Sequence, residues 1–397
     1  MILSLLEKWQ PSMPRMCMEF WTGWFDHWGD KHQTESINKY NENLKFVLQN
    51  YGNINFYMFH GGTNFAFMNG ANELVNRINT QHPPTYLADV TSYDYDALLT
   101  ERGDTTPKYH LTVELLSKYK SEVVYLGDCP TRIVTLPAPH QYDDVMLNTG
   151  LSMDGVLRSA VSVDIKGNAV TMEMLPVNNG NGQSYGWILY RKTIEKGGKV
   201  KVRGQVRDRT LVFLDKKLVT TFDCDTPDFQ FELGSAGVLD FLVENMGRAN
   251  YQTIGQSIIH NQRKGLNNTV TIDDVALSDW SVYSLDFTED HLNRIKKEKF
   301  SRIKKIKASP AIFKGYLKVT SSSSLADTFL DMRGWGKGIV ILNGRNLGRY
   351  WPVKGPTKTL YVPGVWLSQG DNEFMVFEIE EIPSDRTLKF RKTPVLG

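Results

Sequence analysis

The chain has 397 residues, a length that favours two or three domains at roughly 150 residues per domain. Hydrophobic residues make up 41% and charged residues 23%, which is typical of globular proteins and excludes a disordered, collagen-like or coiled-coil chain. Lys plus Arg (46) nearly balances Asp plus Glu (44), for a net charge of +2, so charge gives no argument for a nucleic-acid partner and favours a neutral or small substrate. No stretch reaches the roughly 20 apolar residues of a membrane span, and the apolar run in MILSLLEKWQP is too short for a signal peptide.

The first 120 residues alternate short apolar runs with a helical pattern, which is typical of βα units. MPRMCMEF predicts a strand that ends at Glu19, and INFYMFHGG predicts a buried strand closed by two glycines. Between them, TESINKYNENLKFVLQNYG predicts a helix that stops at Gly52. Two strands joined by a helix form a right-handed crossover unit, and ligands of such units gather at the carboxyl ends of the strands. Glu19 and His60 both lie at such ends.

Beyond about residue 125 the sequence changes to short alternating runs separated by Gly, Asn and Asp turns. Runs such as YGWILYRKTI, RTLVFLDKKLVTTF and VLDFLVENM predict an antiparallel β-sandwich. A later series, including GYLKVT, GIVILNG and NEFMVFEIEE, predicts a second all-β module. The basic stretch HLNRIKKEKFSRIKKIK lies between them, and a solvated linker is favoured over a nucleic-acid or membrane-surface patch because Phe300 is its one aromatic residue.

The densest chemical cluster is MCMEFWTGWFDHWGDKH, whose side chains are Glu19, Asp26, His27, Asp30, His32, Trp21, Trp24 and Trp28. Carboxylates beside indoles suit sugar chemistry, because a pyranose stacks its apolar face on Trp and donates its hydroxyls to carboxylates. Tryptophans that only pack the loop are the alternative. A zinc site is a weaker competing use, because the i, i+5 spacing of His27 and His32 lacks the i, i+4 geometry of HExxH. A nucleophilic Cys17 would need a nearby histidine, and a buried cysteine in an apolar strand is commoner.

A second segment of interest, TSYDYDALLTERGD, alternates tyrosine with aspartate from Tyr93 to Asp96. If this segment is extended, its tyrosines lie on one face and its aspartates on the other. Tyr95 could then contact a ligand or steady a carboxylate, and an ordinary capped loop at the edge of a barrel is the alternative.

These residues carry a family resemblance. MCMEFWTGWFDHWGDKH, INFYMFHGGTNFAFMNGAN and VTSYDYDALLTERGDTTPKY closely resemble glycoside hydrolase family 35, the β-galactosidases related to the lysosomal enzyme. The likeness continues through LVENMGRANY and GRNLGRYWPVKGP, so it covers essentially the whole chain. The resemblance implies retaining hydrolysis of terminal β-galactose on a (β/α)8 TIM barrel followed by galactose-binding-like β domains.

Matched residue by residue, the glutamate of EFWTGW corresponds to the family's catalytic nucleophile, which makes it Glu19. Trp24 of TGW resembles the aromatic platform under the sugar, and Tyr95 resembles a galactose-contacting residue. Trp21 occupies a position where the lysosomal relative has a tyrosine, so that hydroxyl contact is lacking here.

One part of the family's machinery has no match in this sequence. The family's acid/base glutamate lies in an NEYG-type motif on an earlier strand, and the pairs Asn41-Glu42 and Asn72-Glu73 lack that context. Retaining hydrolysis needs two carboxyl groups roughly 5 to 5.5 Å apart. Matched against the family, the chain begins near the seventh barrel strand, so we expect the isolated chain to be weakly active or inactive. Asp26 or Asp30 as a substitute proton donor is a further alternative.

The predicted fold class is therefore multidomain α/β plus all-β, with the C-terminal portion of a TIM barrel followed by galactose-binding-like jelly-roll sandwiches. The expected domains are the barrel portion at 1–122, a β-sandwich at 123–290, a basic linker at 291–308 and a C-terminal β-sandwich at 309–397.

The predicted function is β-galactosidase-type hydrolysis of a β-galactoside with no cofactor, metal or nucleic acid. A non-catalytic carbohydrate-binding or scaffold protein built on the sandwiches is the alternative. The resemblance implies a lysosomal or secreted protein, and the sequon at Asn267 is consistent with that.

Overall fold

The computed structural model describes residues 8–50, 52–74, 85–119, 136–226, 228–252, 262–266, 269–322 and 325–397. The Asn267 sequon and Cys129 lie outside these ranges. Cys17 and Cys224 are free thiols.

The N-terminal segment is built on a parallel pair of strands with a helix between them, as the sequence predicts. Its elements are β1 (Met16–Trp21), α1 (Ile37–Gln49), β2 (Asn53–Tyr57), β3 (Gly70–Leu74), β4 (Thr85–Ala88) and α2 (Pro107–Lys118). The Ser36 side chain caps α1 by accepting from the Lys39 amide, and the Gly52 amide donates to the Val47 carbonyl just after its end. Register pairs Trp21 with Tyr57, so the carboxyl ends of β1 and β2 lie side by side.

Helices α1 and α2 pack on one face of β1 around a small apolar core. The core residues are Phe20, Tyr40, Leu44, Val47, Leu98 and Leu115. Within the described residues, the β1–β2 sheet has two strands, and a closed (β/α)8 barrel is not directly seen. Within those residues, no helix is long and apolar enough to cross a membrane.

Two antiparallel sheets form the first sandwich around a common core. The six-stranded sheet has the order β11-β10-β13-β8-β17-β7 and the four-stranded sheet the order β12-β9-β15-β16. The strands are β7 (Val161–Ile165), β8 (Trp187–Ile194), β9 (Gly198–Val202), β10 (Arg209–Leu214), β11 (Lys217–Asp223), β12 (Phe229–Leu233), β13 (Gly237–Glu244), β15 (Val270–Ile272), β16 (Val275–Ala276) and β17 (Trp280–Leu285). Strand β14 (Arg248–Gln252) leaves this sandwich and pairs in parallel with β3, which joins it to the N-terminal segment.

The second sandwich pairs a six-stranded sheet, β18-β6-β19-β24-β21-β22, with a four-stranded sheet, β23-β20-β25-β5. Its strands are β5 (Val145–Met146), β6 (Thr149–Ser152), β18 (Ser301–Arg302), β19 (Ala311–Val319), β20 (Thr328–Asp331), β21 (Gly338–Leu342), β22 (Arg345–Tyr350), β23 (Thr359–Val362), β24 (Gly370–Glu378) and β25 (Thr387–Arg391). Strands β5 and β6 come before the first sandwich in the chain, within the range 123–290 that the sequence assigns to that sandwich. The first sandwich is thus inserted between strands of the second.

The two six-stranded sheets pack against each other through a shared core, in which Leu189 and Phe213 of the first sandwich lie with Ile341 and Phe377 of the second. Helices α3 (Met153–Ser159) and α4 (Glu289–Lys297) close this interface. The range 291–308, predicted to be a linker, therefore begins inside a helix whose apolar face is buried. Short 3₁₀ turns lie at Met172–Met174, Asn178–Gly180, Ile303–Lys305 and Gly364–Trp366.

Candidate active site

Glu19 lies near the carboxyl end of β1 with its side chain exposed. Alternation along the strand places Trp21 on the same face, and its Nε1 donates to Glu19 Oε2 over 3.0 Å. This bond fixes one carboxylate oxygen and leaves the other without a hydrogen-bond partner among the described residues. The arrangement suits a carboxylate that must keep one orientation.

An aromatic cluster surrounds this end of the strand. The Trp24 ring centroid lies 4.7 Å from that of Trp21 and 6.0 Å from that of Tyr95. Tyr57, at the end of β2, packs edge-on against Tyr95 with centroids 5.9 Å apart. Trp21 and Trp24 are both partly exposed, so the cluster presents indole surface of the kind on which a pyranose stacks.

Tyr95 contributes a hydroxyl that has no hydrogen-bond partner within the described residues, although the side chain is only 2% exposed. Burial raises the pKa of this hydroxyl, and the nearby Tyr57 and Glu19 raise it further. A buried hydroxyl without a partner costs about 1–3 kcal/mol. The Tyr95 hydroxyl is therefore a polar group that a bound ligand could satisfy beside Glu19.

The loop that carries Tyr95 is a turn and not the extended segment considered from the sequence. Tyr95 and Asp96 have φ angles of 63° and 49°, in the left-handed region. Lys108, in the first turn of α2, accounts for this shape, because its Nζ donates to the Asp96 carbonyl and carboxylate over 3.0 and 2.5 Å. The same ammonium donates to the Thr22 carbonyl just after β1, which ties the loop to the strand that carries Glu19.

Two glycines allow this loop to approach the ends of β1 and β2. A Cβ atom at Gly23 would lie 2.0 Å from the Tyr95 carbonyl oxygen, and one at Gly61 would lie 1.6 Å from the Tyr93 carbonyl oxygen. Both positions therefore exclude any side chain. The glycines of TGW and HGG serve close packing here, as the sequence indicates for HGG.

The acidic and imidazole residues after Glu19 are paired with one another. His32 Nδ1 lies 2.8 Å from Asp26 Oδ2, and His27 Nδ1 lies 2.9 Å from Asp30 Oδ2. The hydrogen bond to Asp26 raises the pKa of His32. In the described part of the chain, no group of three or more His, Cys, Asp or Glu side chains could bind a metal ion. These four residues form two His–Asp pairs rather than a zinc site.

His60 forms its hydrogen bond with Glu101 and not with Glu19. Its Nε2 lies 2.9 Å from the Glu101 carbonyl oxygen, at the entrance to the loop. Tyr57, in contrast, was missed by reasoning from the sequence, although it joins the aromatic cluster. Its position as the last residue of β2, opposite Trp21, is the signal that could have identified it. The residues of β2 are half-buried or exposed, so the prediction of a buried strand was wrong.

Three parts of the sequence match known families. Residues 1–119 match the family described as Glycosyl hydrolases family 35. This part of the chain is therefore similar to glycosyl hydrolases family 35. Residues 170–286 match the first all-β domain of β-galactosidase, and residues 310–372 match its galactose-binding domain. The resemblance drawn from the motifs is thereby confirmed.

Relatives extend the family 35 likeness over the whole chain. Human Beta-galactosidase-1-like protein 2 is 39% identical over 398 residues, which cover 100% of this chain and 58% of the relative. A Beta-galactosidase from Xanthomonas manihotis is 34% identical over 362 residues, which cover 90% of this chain and 55% of the relative. Among solved structures, a GH2 β-galacturonidase from Eisenbergiella tayi bound to glycerol matches at 10% identity with a TM-score of 0.18, over 62% of this chain and 38% of that one. The chain spans little more than half the length of the curated relatives it matches.

Proposed function

We propose that this chain contributes the nucleophile half of a retaining β-galactosidase site, with Glu19 as the nucleophile. The observation that carries the proposal is the placement of Glu19, held by the Trp21 indole, beside the Trp24–Tyr95 aromatic pair. The Glu19 carboxylate would attack the anomeric carbon as the glycosidic bond to the leaving oxygen breaks. Water would then release galactose from the covalent glycosyl-enzyme and regenerate the carboxylate.

Trp24 and Tyr95 would bind the sugar in this reaction. The partly exposed Trp24 ring offers an apolar face for the galactose ring, and the Tyr95 hydroxyl lacks a partner among the described residues. A hydrogen bond between the Tyr95 hydroxyl and a sugar hydroxyl would satisfy Tyr95 and fix the ring over Glu19. Trp21 would act on the carboxylate, because its N–H group orients one oxygen and leaves the other for attack.

The proposal assigns the acid/base role to a carboxyl group outside this sequence. Asp26 accepts from the Gln33 amide and pairs with His32, while Asp30 pairs with His27, so both carboxylates already have partners. A general acid contributes roughly 10²- to 10⁴-fold to the rate. We therefore expect the isolated chain to hydrolyse β-galactosides weakly or not at all.

Mechanism-based labelling tests the nucleophile directly. A 2-deoxy-2-fluoro-β-galactoside with a good leaving group does not need the acid to form the covalent intermediate. Incubated with the chain, it should label Glu19, and Glu19→Gln should remain unlabelled by peptide mass spectrometry. A label on another residue, or none even when the upstream part of a relative is supplied, would reject the assignment.

A carbohydrate-binding protein without catalysis is the second candidate, favoured by the two complete sandwiches, each with its own buried core. Turnover of a chromogenic β-galactoside separates the two functions, because hydrolysis that Glu19→Gln abolishes excludes a protein that only binds. The family resemblance also carries the proposal that the protein acts in the lysosome or outside the cell.

A further inference from the structure

A cleft of about 530 Å³ lies where the N-terminal segment meets the first sandwich. This volume falls within the roughly 300–1,000 Å³ typical of small-molecule sites. We call it the junction cleft, and its characteristic lining residues are Tyr57, Phe67, Asp89, Tyr93, Tyr185 and Asn250. Both parts of the chain contribute to it, so its shape depends on their packing.

One wall of the junction cleft is aromatic. The rings of Phe67 and Tyr185 are stacked, with centroids 6.2 Å apart and planes inclined by 12°. Phe67 is buried, whereas Tyr185 is 39% exposed, so one face of the Tyr185 ring packs on Phe67 and the other remains open. An open aromatic face beside a concave surface matches the apolar face of a sugar ring.

Polar groups converge on the opposite side of the cleft, around Gly70. A Cβ atom at Gly70 would lie 3.0 Å from Asp89 Oδ2 and 3.2 Å from Asn250 Oδ1, so these two side chains approach the same point. Asp89 is 5% exposed, and its Oδ1 has no hydrogen-bond partner within the described residues. His27 Nε2 is 3.6 Å from that oxygen, beyond hydrogen-bond distance. A ligand hydroxyl at the point where Asp89 Oδ2 and Asn250 Oδ1 converge would donate to these acceptors.

The charge of the cleft favours a neutral ligand. Arg248 lines it, but its guanidinium pairs with Glu173 over 2.7 Å. Burial raises the pKa of Asp89 to about 7, so the group that faces the ligand exchanges a proton near neutrality. A sulfated or carboxylated sugar would be repelled by the Asp89 carboxylate, and Arg248 is already paired with Glu173. A neutral sugar can instead donate hydrogen bonds from its hydroxyls to Asp89.

The junction cleft is continuous with the candidate active site. Tyr57 and Tyr93 line the cleft, and their ring centroids lie 5.9 and 5.6 Å from that of Tyr95. Since the proposed reaction removes a terminal sugar, all further sugar rings of a substrate lie on the leaving-group side of Glu19. A site adjoining Tyr95 is where those rings could bind.

We propose that the junction cleft binds the neutral sugar unit on the leaving-group side, so that the preferred ligand is a β-galactosyl oligosaccharide rather than a simple galactoside. The inference rests on the proposed function, because that function defines which side the leaving group occupies. Tyr185 and Asn250 then determine specificity for the second ring. Neither residue takes part in bond cleavage.

Isothermal titration of the whole chain with methyl β-galactoside and with a neutral β-galactosyl trisaccharide tests the inference. We expect the trisaccharide to bind about tenfold more tightly, the factor for about 1.4 kcal/mol of added contact. Tyr185→Ala and Asn250→Ala should each remove most of this advantage and leave methyl β-galactoside binding unchanged. Tyr316→Ala, a change at a comparably exposed tyrosine of the second sandwich, should preserve the advantage.

Equal binding of the two probes by the unaltered chain would overturn the inference, as would equal loss of both in Tyr185→Ala. Near-ultraviolet circular dichroism checks that each variant is folded. If Tyr185→Ala fails to fold, Asn250→Ala still tests the inference, because Asn250 is exposed. The proposed function has its own readout, because Trp24→Ala should abolish methyl β-galactoside binding. If Trp24→Ala retains that binding, the position of the terminal sugar is wrong, whereas Tyr185→Ala still reports on the cleft.

Discussion

Gly23 controls the approach of the Tyr95 loop to β1. Because an added Cβ atom would lie 2.0 Å from the Tyr95 carbonyl oxygen, Gly23→Ala must move the loop away from Trp24. We expect the free energy of unfolding to fall by about 1–3 kcal/mol, with weaker binding of methyl β-galactoside. Urea denaturation and titration measure the two effects.

Gly234→Ala is the matched control for this change, since nothing lies within 4 Å of a Cβ atom at Gly234. It should leave both measurements unchanged. If Gly23→Ala also leaves them unchanged, the contact between the TGW segment and the Tyr95 loop does not position the candidate site.

Glu101 gives the chain a pH-dependent stability. Its carboxyl group accepts hydrogen bonds from Thr63 and Ser92, and burial raises its pKa from 4.5 to about 7. The folded state therefore retains a proton that the unfolded state loses between those values, and stability falls as pH rises through this window. We expect Glu101 to account for about 1–3 kcal/mol of the loss between pH 5 and pH 8.

Urea denaturation at the two pH values checks this expectation. Glu101→Gln replaces the titrating group by a neutral one of the same shape and should reduce the pH dependence. It should not abolish the dependence, because burial also raises the pKa of Asp89 and of Glu378 to about 7. Glu42→Gln, which alters an exposed residue of α1, is the control, and an equal effect of the two substitutions would refute the role of Glu101.

At the scale of elements, helix α4 connects the two sandwiches. Thr288 caps it, and three residues of its first two turns are buried, His291, Leu292 and Ile295. Ile295 is fully buried in the core between the six-stranded sheets, so Ile295→Ala should lower the free energy of unfolding by about 2–5 kcal/mol. Asn293→Ala alters an exposed residue of the same helix and should have little effect. If urea denaturation shows that Ile295→Ala and Asn293→Ala both have small effects, α4 behaves as a solvated linker.

The helix and strands near Glu19 could be predicted from the sequence, whereas the long-range contacts that shape the site could not. Strand β1, helix α1 and strand β2 follow from apolar periodicity alone. The turn at Tyr95 does not, because it depends on Lys108 binding the Asp96 carboxylate and the Thr22 carbonyl from another element. Helix α4 was missed because its basic end, Lys296 and Lys297, runs into the lysine-rich stretch that follows, and its few buried positions occupy one narrow face.

At the scale of the whole molecule, the connection between the sandwiches was also beyond the sequence. Strands β5 and β6 contain only two and four residues, too few for a period-2 pattern to reveal their partners. Their pairing with β25 and β19 places them in the second sandwich. The residue patterns therefore predict that each module is a β-sandwich. Which strands belong to which sandwich depends on tertiary pairing.

A buried charge network at this junction holds the modules together. Glu244, at the end of β13 in the first sandwich, accepts from Lys337 Nζ over 2.8 Å. Arg349 lies on β22 of the second sandwich, and its Nε is 3.3 Å from Glu244 Oε1. Its Nη1 donates to Asn69 Oδ1 of the N-terminal segment over 2.7 Å. All three charged side chains are almost completely buried. Desolvation lowers the pKa of Lys337 and of Arg349, so both cations depend on the Glu244 carboxylate.

Glu244→Gln removes that carboxylate and leaves the buried cations Lys337 and Arg349 without their ion-pair partner in the first sandwich. We expect the free energy of unfolding to fall by about 3–5 kcal/mol, the usual cost of breaking a buried ion pair. Because the lost bonds join two modules, calorimetry should also show separate unfolding of the sandwiches. Glu232→Gln, which alters an exposed residue of β12, should cost less than about 0.5 kcal/mol. A single cooperative transition of unchanged stability in Glu244→Gln would show that apolar packing alone couples the modules.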